Sequence, residues 1–424
     1  MADLLKGYTI QTKTFKKVIV EQKLGEGGQG AVYRVDHDNM PKALKWYTGK
    51  RIKSPKKFYA NLENNIKKGK PTSAFLWPED ITEHDGEAFG YIMDLRPPGY
   101  KDFKIFLLGK EGFANVTAMT NAALHITAGF RELHNKGYSY QDLNDGNFFI
   151  NPKNGDVLIC DNDNVSEYGK NSGIAGKARY MAPEIVAKHA RPDKQTDRFS
   201  LSVVLFLLWT NNHPLEGKDA CPVCMDAKHE RRIYGENPVF VWDPNDNSNR
   251  PVQGIHKGAI TRWPFLPGYL RELFIRAFSK EVMDDPSRRI IEQEWLRTFI
   301  RMRTEIYKCP CGEVYFADPV NPNPCPECKR INTFSIYFKT NRYNLPVHER
   351  TKLYACHTEK DSDDFETPTG EVSANGNDFN LKNTSGRNWI ITESGNTASV
   401  VPNAVITLKK GMAINFGSSA VDVV

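Results

Sequence analysis

A chain of 424 residues that is 40% hydrophobic and 25% charged, with a formal net charge of +6, is long enough for two or three domains that each bury a core. This composition excludes a disordered or fibrous chain, and the positive charge is scattered in short clusters such as Lys50 to Lys57 and Lys67 to Lys70, so solvated faces are expected and no nucleic-acid partner. The longest apolar stretch, Phe199 to Trp209, is too short for a bilayer, and Met1 to Lys17 lacks an apolar signal core, so a soluble cytoplasmic protein without membrane contact is expected.

The first segments read as a β-rich run from Lys17 to Leu44, a helix over Pro55 to Lys68 and a strand through Tyr91 to Leu95. Leu24-Gly25-Glu26-Gly27-Gly28-Gln29-Gly30-Ala31-Val32 lies between β-prone runs. Its glycines, Gly25, Gly27 and Gly30, let the backbone approach phosphate oxygens, and Val32 can cover an adenine face. Fifteen residues after Gly30, Ala43-Leu44-Lys45 puts one cation on the neighbouring strand, where it could hold α and β phosphates. Glu63, inside the predicted helix, is its expected acidic partner; a surface charge is the plainer reading of either residue.

Beyond residue 95 the pattern turns helical, with apolar residues at helical spacing in Ala118 to Asn135, Phe199 to Trp209, Gly268 to Ser279 and Glu292 to Thr304. Between the first two lies Tyr138-Ser139-Tyr140-Gln141-Asp142-Leu143-Asn144-Asp145-Gly146-Asn147, with a carboxylate five residues before a carboxamide. Fourteen residues past Asn147, the strand-like Val157-Leu158-Ile159-Cys160 leads into Asp161-Asn162-Asp163. Tyr180-Met181-Ala182-Pro183-Glu184, Asp197-Arg198-Phe199 and Asp285-Pro286-Ser287-Arg288-Arg289 follow in order.

From about residue 15 to 305 these motifs resemble a eukaryotic-type serine/threonine protein kinase. The resemblance implies an α+β, bilobal protein-kinase fold with an N-lobe over residues 1–95 and a C-lobe over 96–305. It implies an enzyme that uses ATP and Mg²⁺ on a protein substrate. Asp142 would accept or orient the hydroxyl proton, Asn147 and Asp161 would bind Mg²⁺, and Ala43, Met93, Asp94 and Leu95 would line the adenine site. Glu184 should pair with Arg289, and Asp197 should brace the catalytic-loop backbone. A pseudokinase scaffold and a small-molecule phosphotransferase stand as alternatives.

Departures from the family pattern are specific. Tyr140-Gln141 replaces the family's His-Arg, which removes the usual partner of an activation-segment phosphate. The family lysine two residues after the catalytic aspartate is Asn144, and the family threonine ahead of Tyr180 is Lys177. One reading moves the cation from the first position to the second, so that Lys177 reaches the γ-phosphate or Asp142. The other leaves Lys177 solvated and catalysis weakened.

From Lys308 onward Cys, Pro and Asn dominate. Cys309, Cys311, Cys325 and Cys328 form two half-sites suited to a structural Zn²⁺, with disulfides as the alternative, so residues 306–340 are expected to be a zinc ribbon. Cys221 and Cys224, with His229, lack a second half-site, and Cys160 and Cys356 read as packing residues. Residues 341–424 have the strand-and-turn texture of a β-sandwich. Leu381-Lys382-Asn383-Thr384-Ser385 and Leu408 to Gly417 resemble the closing strands of forkhead-associated domains, without the Gly-Arg and Ser-x-x-His elements that read phosphothreonine. Kinases of this construction resemble bacterial ones found beside a von Willebrand factor A-domain protein and a metal-dependent protein phosphatase, which are the implied partners.

Overall fold

The computed structural model describes residues 4–28, 30–48, 52, 54–170, 176–221, 226–317, 323–376 and 378–424. The chain divides into two compact units, one of residues 1–112, 125–266 and 271–292, the other of residues 113–124, 267–270 and 293–424. No helix among the described residues is long and apolar enough to cross a membrane.

The first unit begins with a six-stranded sheet. Its strands are β1 (Thr9–Gln11), β2 (Lys17–Glu26), β3 (Gly30–His37), β4 (Met40–Thr48), β5 (Asp80–Ile81) and β6 (Ala88–Asp94), in the order β1-β2-β3-β4-β6-β5. β-Branched and aromatic residues alternate along it, so Val18, Val20, Tyr33 and Val35 are buried while Lys17 and Arg34 face water. Helix α1 (Pro55–Lys68) starts with Pro at its first position and stops at Gly69, whose φ of 75° no β-carbon-bearing residue adopts easily. Its buried face carries Phe58, Tyr59, Leu62 and Asn65 at helical spacing.

Short strands then frame the loops that matter. Strands β7 (Lys101–Asp102), β9 (Phe148–Ile150) and β10 (Val157–Ile159) form one small sheet, in the order β10-β9-β7. Strands β8 (Tyr138–Ser139) and β11 (Ser166–Glu167) pair with each other. The loop between β8 and β9 and the turn after β10 therefore emerge from paired strands. Of the intervening helices α2 (Phe103–Leu107), α3 (Val116–Asn135), α4 (Pro183–Val186) and α5 (Lys194–Thr210), the last is the apolar axis. Asp193 caps it by accepting from the backbone N–H of Gln195 and Thr196, and every residue from Phe199 to Thr210 is buried.

In the second unit, strands Ile306–Lys308 and Val314–Phe316 pair as a hairpin. Beyond it lie a six-stranded sheet, ordered Tyr343–Pro346, Ser335–Phe338, Ala420–Val423, Ala413–Asn415, Trp389–Glu393, Asn396–Val400, and a four-stranded sheet, ordered Lys352–Tyr354, Pro368–Asn375, Asp378–Asn383, Val405–Thr407. Ile336, Trp389 and Val421 from the first sheet share one buried cluster with Leu353, Val372 and Leu381 from the second. A β-carbon at Gly370 would come within 3.1 Å of the Trp389 ring, so the sheets meet across this glycine.

Candidate active site

Strand β4 places Lys45 opposite Val32 of β3 and Tyr91 of β6. A β-carbon at Gly30 would fall 2.3 Å from the Trp46 carbonyl oxygen, so only glycine allows β3 this close to β4. A β-carbon at Gly25 or Gly28 would meet nothing within 4 Å, which leaves room above the turn; Gln29 lies outside the described residues. Gly27 ties the turn by donating its N–H to the Gly30 carbonyl at 2.8 Å. Val32, Ala43, Met93 and Leu95 belong to one apolar cluster beside the lysine. Asp94, next to them, is paired with Lys42 at 2.6 Å.

The Lys45 ammonium meets both carboxylate oxygens of Asp163, at 2.8 and 2.9 Å, and Oδ1 of Asp161 at 2.9 Å. Burial pulls the lysine toward deprotonation, but the carboxylates of Asp163 and Asp161 outweigh it and hold the pKa well above the usual lysine value. Asp161 sits in left-handed backbone, φ 56°, and its side chain stays 44% exposed.

Glu63, expected beside Lys45, has a different partner. Its Oε1 is 2.5 Å from Lys13 Nζ, and the side chain is 41% exposed. Helical phase is the reason: with Phe58, Leu62 and Asn65 turned inward, Glu63 falls on the outer side of α1. Asn61 and Asn65 instead reach the segment after the Asp161-Asn162-Asp163 turn, donating to the Val165 carbonyl at 2.7 and 2.9 Å.

The loop between β8 and β9 is held from below. Asp197 accepts the backbone N–H of Tyr140 at 2.6 Å and of Gln141 at 3.0 Å, and His134 Nε2 lies 3.0 Å from it. Tyr140 donates its hydroxyl to the Cys160 carbonyl, joining the loop to the end of β10. Gln141 donates to the Lys170 carbonyl at 2.6 Å, so a neutral amide occupies the site of the family's phosphate-binding arginine. Asn147 and Asn144 form a reciprocal cap: the Asn147 side chain accepts the Asn144 N–H at 2.6 Å and the Asn144 side chain accepts the Gly146 N–H at 3.0 Å.

Burial pushes the Asp142 carboxyl up to about 6, with Lys177 pulling it back down and Asp161 adding to the rise. Lys177 Nζ donates to Asn144 Oδ1 at 2.7 Å, and the Asn144 amide lies 3.4 Å from Asp142 Oδ1. The two substituted positions are thus in contact. A cavity of about 740 Å³ opens beside Asp142, lined among others by Gly176, Lys177, Met181, Ile185 and Val186. Arg289 grips Glu184 through two hydrogen bonds, at 2.8 and 2.7 Å.

In the second unit, the sulfurs of Cys309, Cys311, Cys325 and Cys328 all lie within 4.8 Å of one another, with 3.5 Å between Cys309 and Cys328 and 3.6 Å between Cys311 and Cys325. Tetrahedral Zn–S bonds of about 2.3 Å require sulfur–sulfur edges of about 3.8 Å, so the four thiols fit Zn²⁺. Tyr307 and Tyr315 pack edge to face beside Cys309 and Cys325. Cys224 lies outside the described residues, and His229 Nε2 is 2.7 Å from the Asp219 carbonyl oxygen.

Sequence reasoning left Asp163 without a role, although an acid two residues beyond Asp161 was the available signal. Tyr47, which donates its hydroxyl to Asp163 at 2.6 Å, carried no sequence signal.

A β-rich lobe with a strand-borne lysine, followed by a helical lobe with an aspartate loop braced on a buried helix, defines a protein of the kinase class. The protein kinase domain family matches residues 18–264, more than half of the chain, and the chain belongs to that family. It is 28% identical over 209 residues to beta-adrenergic receptor kinase 1 of Homo sapiens, covering 47% of this chain and 30% of that protein. It is 27% identical over 324 residues to G protein-coupled receptor kinase 2 of Caenorhabditis elegans, covering 72% of this chain and 42% of that protein. The chain thus spans less than half the length of these relatives.

Proposed function

We propose that the chain is a protein kinase that transfers the γ-phosphoryl group of ATP, with Mg²⁺, to a serine or threonine hydroxyl of itself or of a partner protein. The observation that carries this reading is the contact of Lys45 with Asp161 at 2.9 Å, within a site whose loop also presents Asp142 and Asn147. Lys45 is assigned to the α and β phosphates, the Gly25 to Gly30 turn to their backbone cover, and Asp161 with Asn147 to Mg²⁺. Mg²⁺ neutralises charge on the phosphates when bound. Asp142 takes or orients the hydroxyl proton; with its pKa at about 6 it is ionised at neutral pH yet basic enough to accept one. Lys177 supplies the cation that Asn144 cannot, held toward the acceptor side through the Asn144 amide.

Transfer of labelled γ-phosphate from ATP to the chain itself or to a generic protein tests the reading. Replacing Asp142 by Asn is expected to lower turnover by about 10²- to 10⁴-fold with nucleotide uptake retained. A wild-type chain that binds ATP but labels nothing would make it a nucleotide-sensing scaffold.

The appended unit is assigned to docking. The expected boundary at 340 moves to about 334, because Ser335–Phe338 pairs with Tyr343–Pro346 and Ala420–Val423; residues 306–334 are read as a zinc ribbon and 335–424 as a forkhead-associated-like β-sandwich that does not read phosphothreonine. A bacterial, cytoplasmic setting with a von Willebrand factor A-domain protein and a metal-dependent phosphatase as partners follows from the resemblance in organisation. Purified chain is expected to carry one zinc, and Cys325→Ser to lose it along with the order of the Ile306–Phe316 hairpin. Zinc analysis beside protease digestion checks both; a metal-free chain that resists protease equally well would remove the zinc.

A further inference from the structure

Helix α1 contains one acidic residue, Glu63, and that residue serves Lys13 on the outer face. The lysine of the site is nevertheless fully paired. Asp163, with no side-chain exposure, offers both oxygens to Lys45 at 2.8 and 2.9 Å. The carboxylate is itself oriented: Tyr47 donates to Oδ2 at 2.6 Å, and the Tyr91 hydroxyl lies 3.5 Å from Oδ1. The turn that carries it is pinned by Asn162, whose amide donates to the carbonyls of Leu76 at 2.8 Å and Ile159 at 2.9 Å. Asp161, two residues earlier, is the exposed member of the pair, so the two carboxylates divide into one that is partly open to solvent and one that is sealed against the lysine and two tyrosine hydroxyls.

We propose that Asp163 is the positioning residue for Lys45, and that the readiness of the site for nucleotide therefore does not depend on a carboxylate from helix α1. This rests on the kinase reading above. One short turn carries both the metal-side carboxylate and the lysine's anchor, so their relative geometry is set locally rather than by the placement of a helix. Helix α1 meets that turn's neighbourhood through neutral amide donations from Asn61 and Asn65 to Val165 and, further along, through an ion pair of Lys68 with Glu167, and none of these takes part in the Lys45 charge pair.

The test compares four variants of the full chain, Glu63→Gln, Asp163→Asn, Lys45→Met and the double variant Lys45→Met with Asp163→Asn. The readouts are affinity for a fluorescent ATP analogue with Mg²⁺, and kcat and KM for phosphate transfer. Glu63→Gln is expected within about twofold of wild type in every readout. Asp163→Asn is expected to weaken nucleotide binding by about tenfold. In the Lys45→Met background the same Asp163 change is expected to alter affinity by less than about twofold, because a residue acting only through the lysine has nothing left to position. A merely structural Asp163 would weaken binding by the same factor in both backgrounds, which overturns the proposal. Should Asp163→Asn fail to fold, Glu63→Gln still decides: it lies on the exposed face, and a tenfold loss of affinity there overturns the proposal alone. A wild-type chain that takes up no nucleotide overturns this proposal together with the kinase reading.

Discussion

Two lysines stand at the site, and they are held in different ways. Lys45 is 9% exposed and meets three carboxylate oxygens within 2.9 Å, whereas the Lys177 side chain is 60% exposed and meets a carboxamide at 2.7 Å and Asp145 at 3.4 Å. A buried ammonium needs paired charge to remain protonated, and such pairing also fixes its direction. An exposed ammonium keeps its water and its rotamer freedom, so its geometry is completed by whatever anion arrives. On the proposed reading, the nucleotide side is preorganised by the fold, and the acceptor side is left to be organised by substrate.

Three measurements sharpen or break this contrast. The largest effect is expected for Lys45→Met, which should lower kcat/KM for ATP by about 10²- to 10³-fold and should leave Asp163 without its counter-charge. Retained transfer in that variant would mean that the buried lysine is not the one that handles the phosphates. Next comes Lys177→Met, with kcat expected to fall by about 10- to 100-fold while KM for ATP stays within about twofold. The pH profile gives this variant a second signature. Asp142 must be ionised to accept a proton, so wild-type turnover falls as pH drops below about 6; removing the Lys177 cation takes away an interaction that lowers the Asp142 pKa, so this limb moves to higher pH. Unchanged turnover with an unmoved limb would discard the idea that Lys177 replaces the missing loop cation. The smallest effect is expected from salt. Raising ionic strength from about 0.05 to 0.5 M should reduce turnover a few-fold through the exposed lysine, and the sensitivity should vanish in Lys177→Met. Equal salt sensitivity in that variant would place the screened interaction elsewhere.

Much of the architecture was legible in the order of residues. Helix α1 has the expected bounds, Pro55 to Lys68, the helix Glu292–Thr304 follows its apolar spacing, and the strand at Trp389 runs one residue past the expected Thr392. The apolar run from Phe199 proved to be the interior of a longer helix, because Asp193 and Thr196 cap it before the apolar residues start. Short elements such as Thr9–Gln11 and Phe103–Leu107 were not legible, since strands and helices of three to five residues carry too few periodic positions to stand out. At the site, the pairs Arg289 with Glu184 and Asp197 with the Tyr140 and Gln141 amides take the arrangement that the motifs imply.

The sequence by itself determined the local motifs: a glycine turn, a strand lysine, an aspartate loop and an Asp161-Asn162-Asp163 turn are each recognisable within a few neighbouring residues, and their resemblance to protein kinases implied that they meet. Only the tertiary structure decided which carboxylate faces Lys45. Glu63 and Asp163 both offer a carboxylate, but the phase of α1 against its apolar core turns one outward to Lys13, while the turn after β10 seals the other beneath Tyr47. Charge pairing over 118 positions of chain, as between Lys45 and Asp163, is a property of packing and has no signature in local sequence.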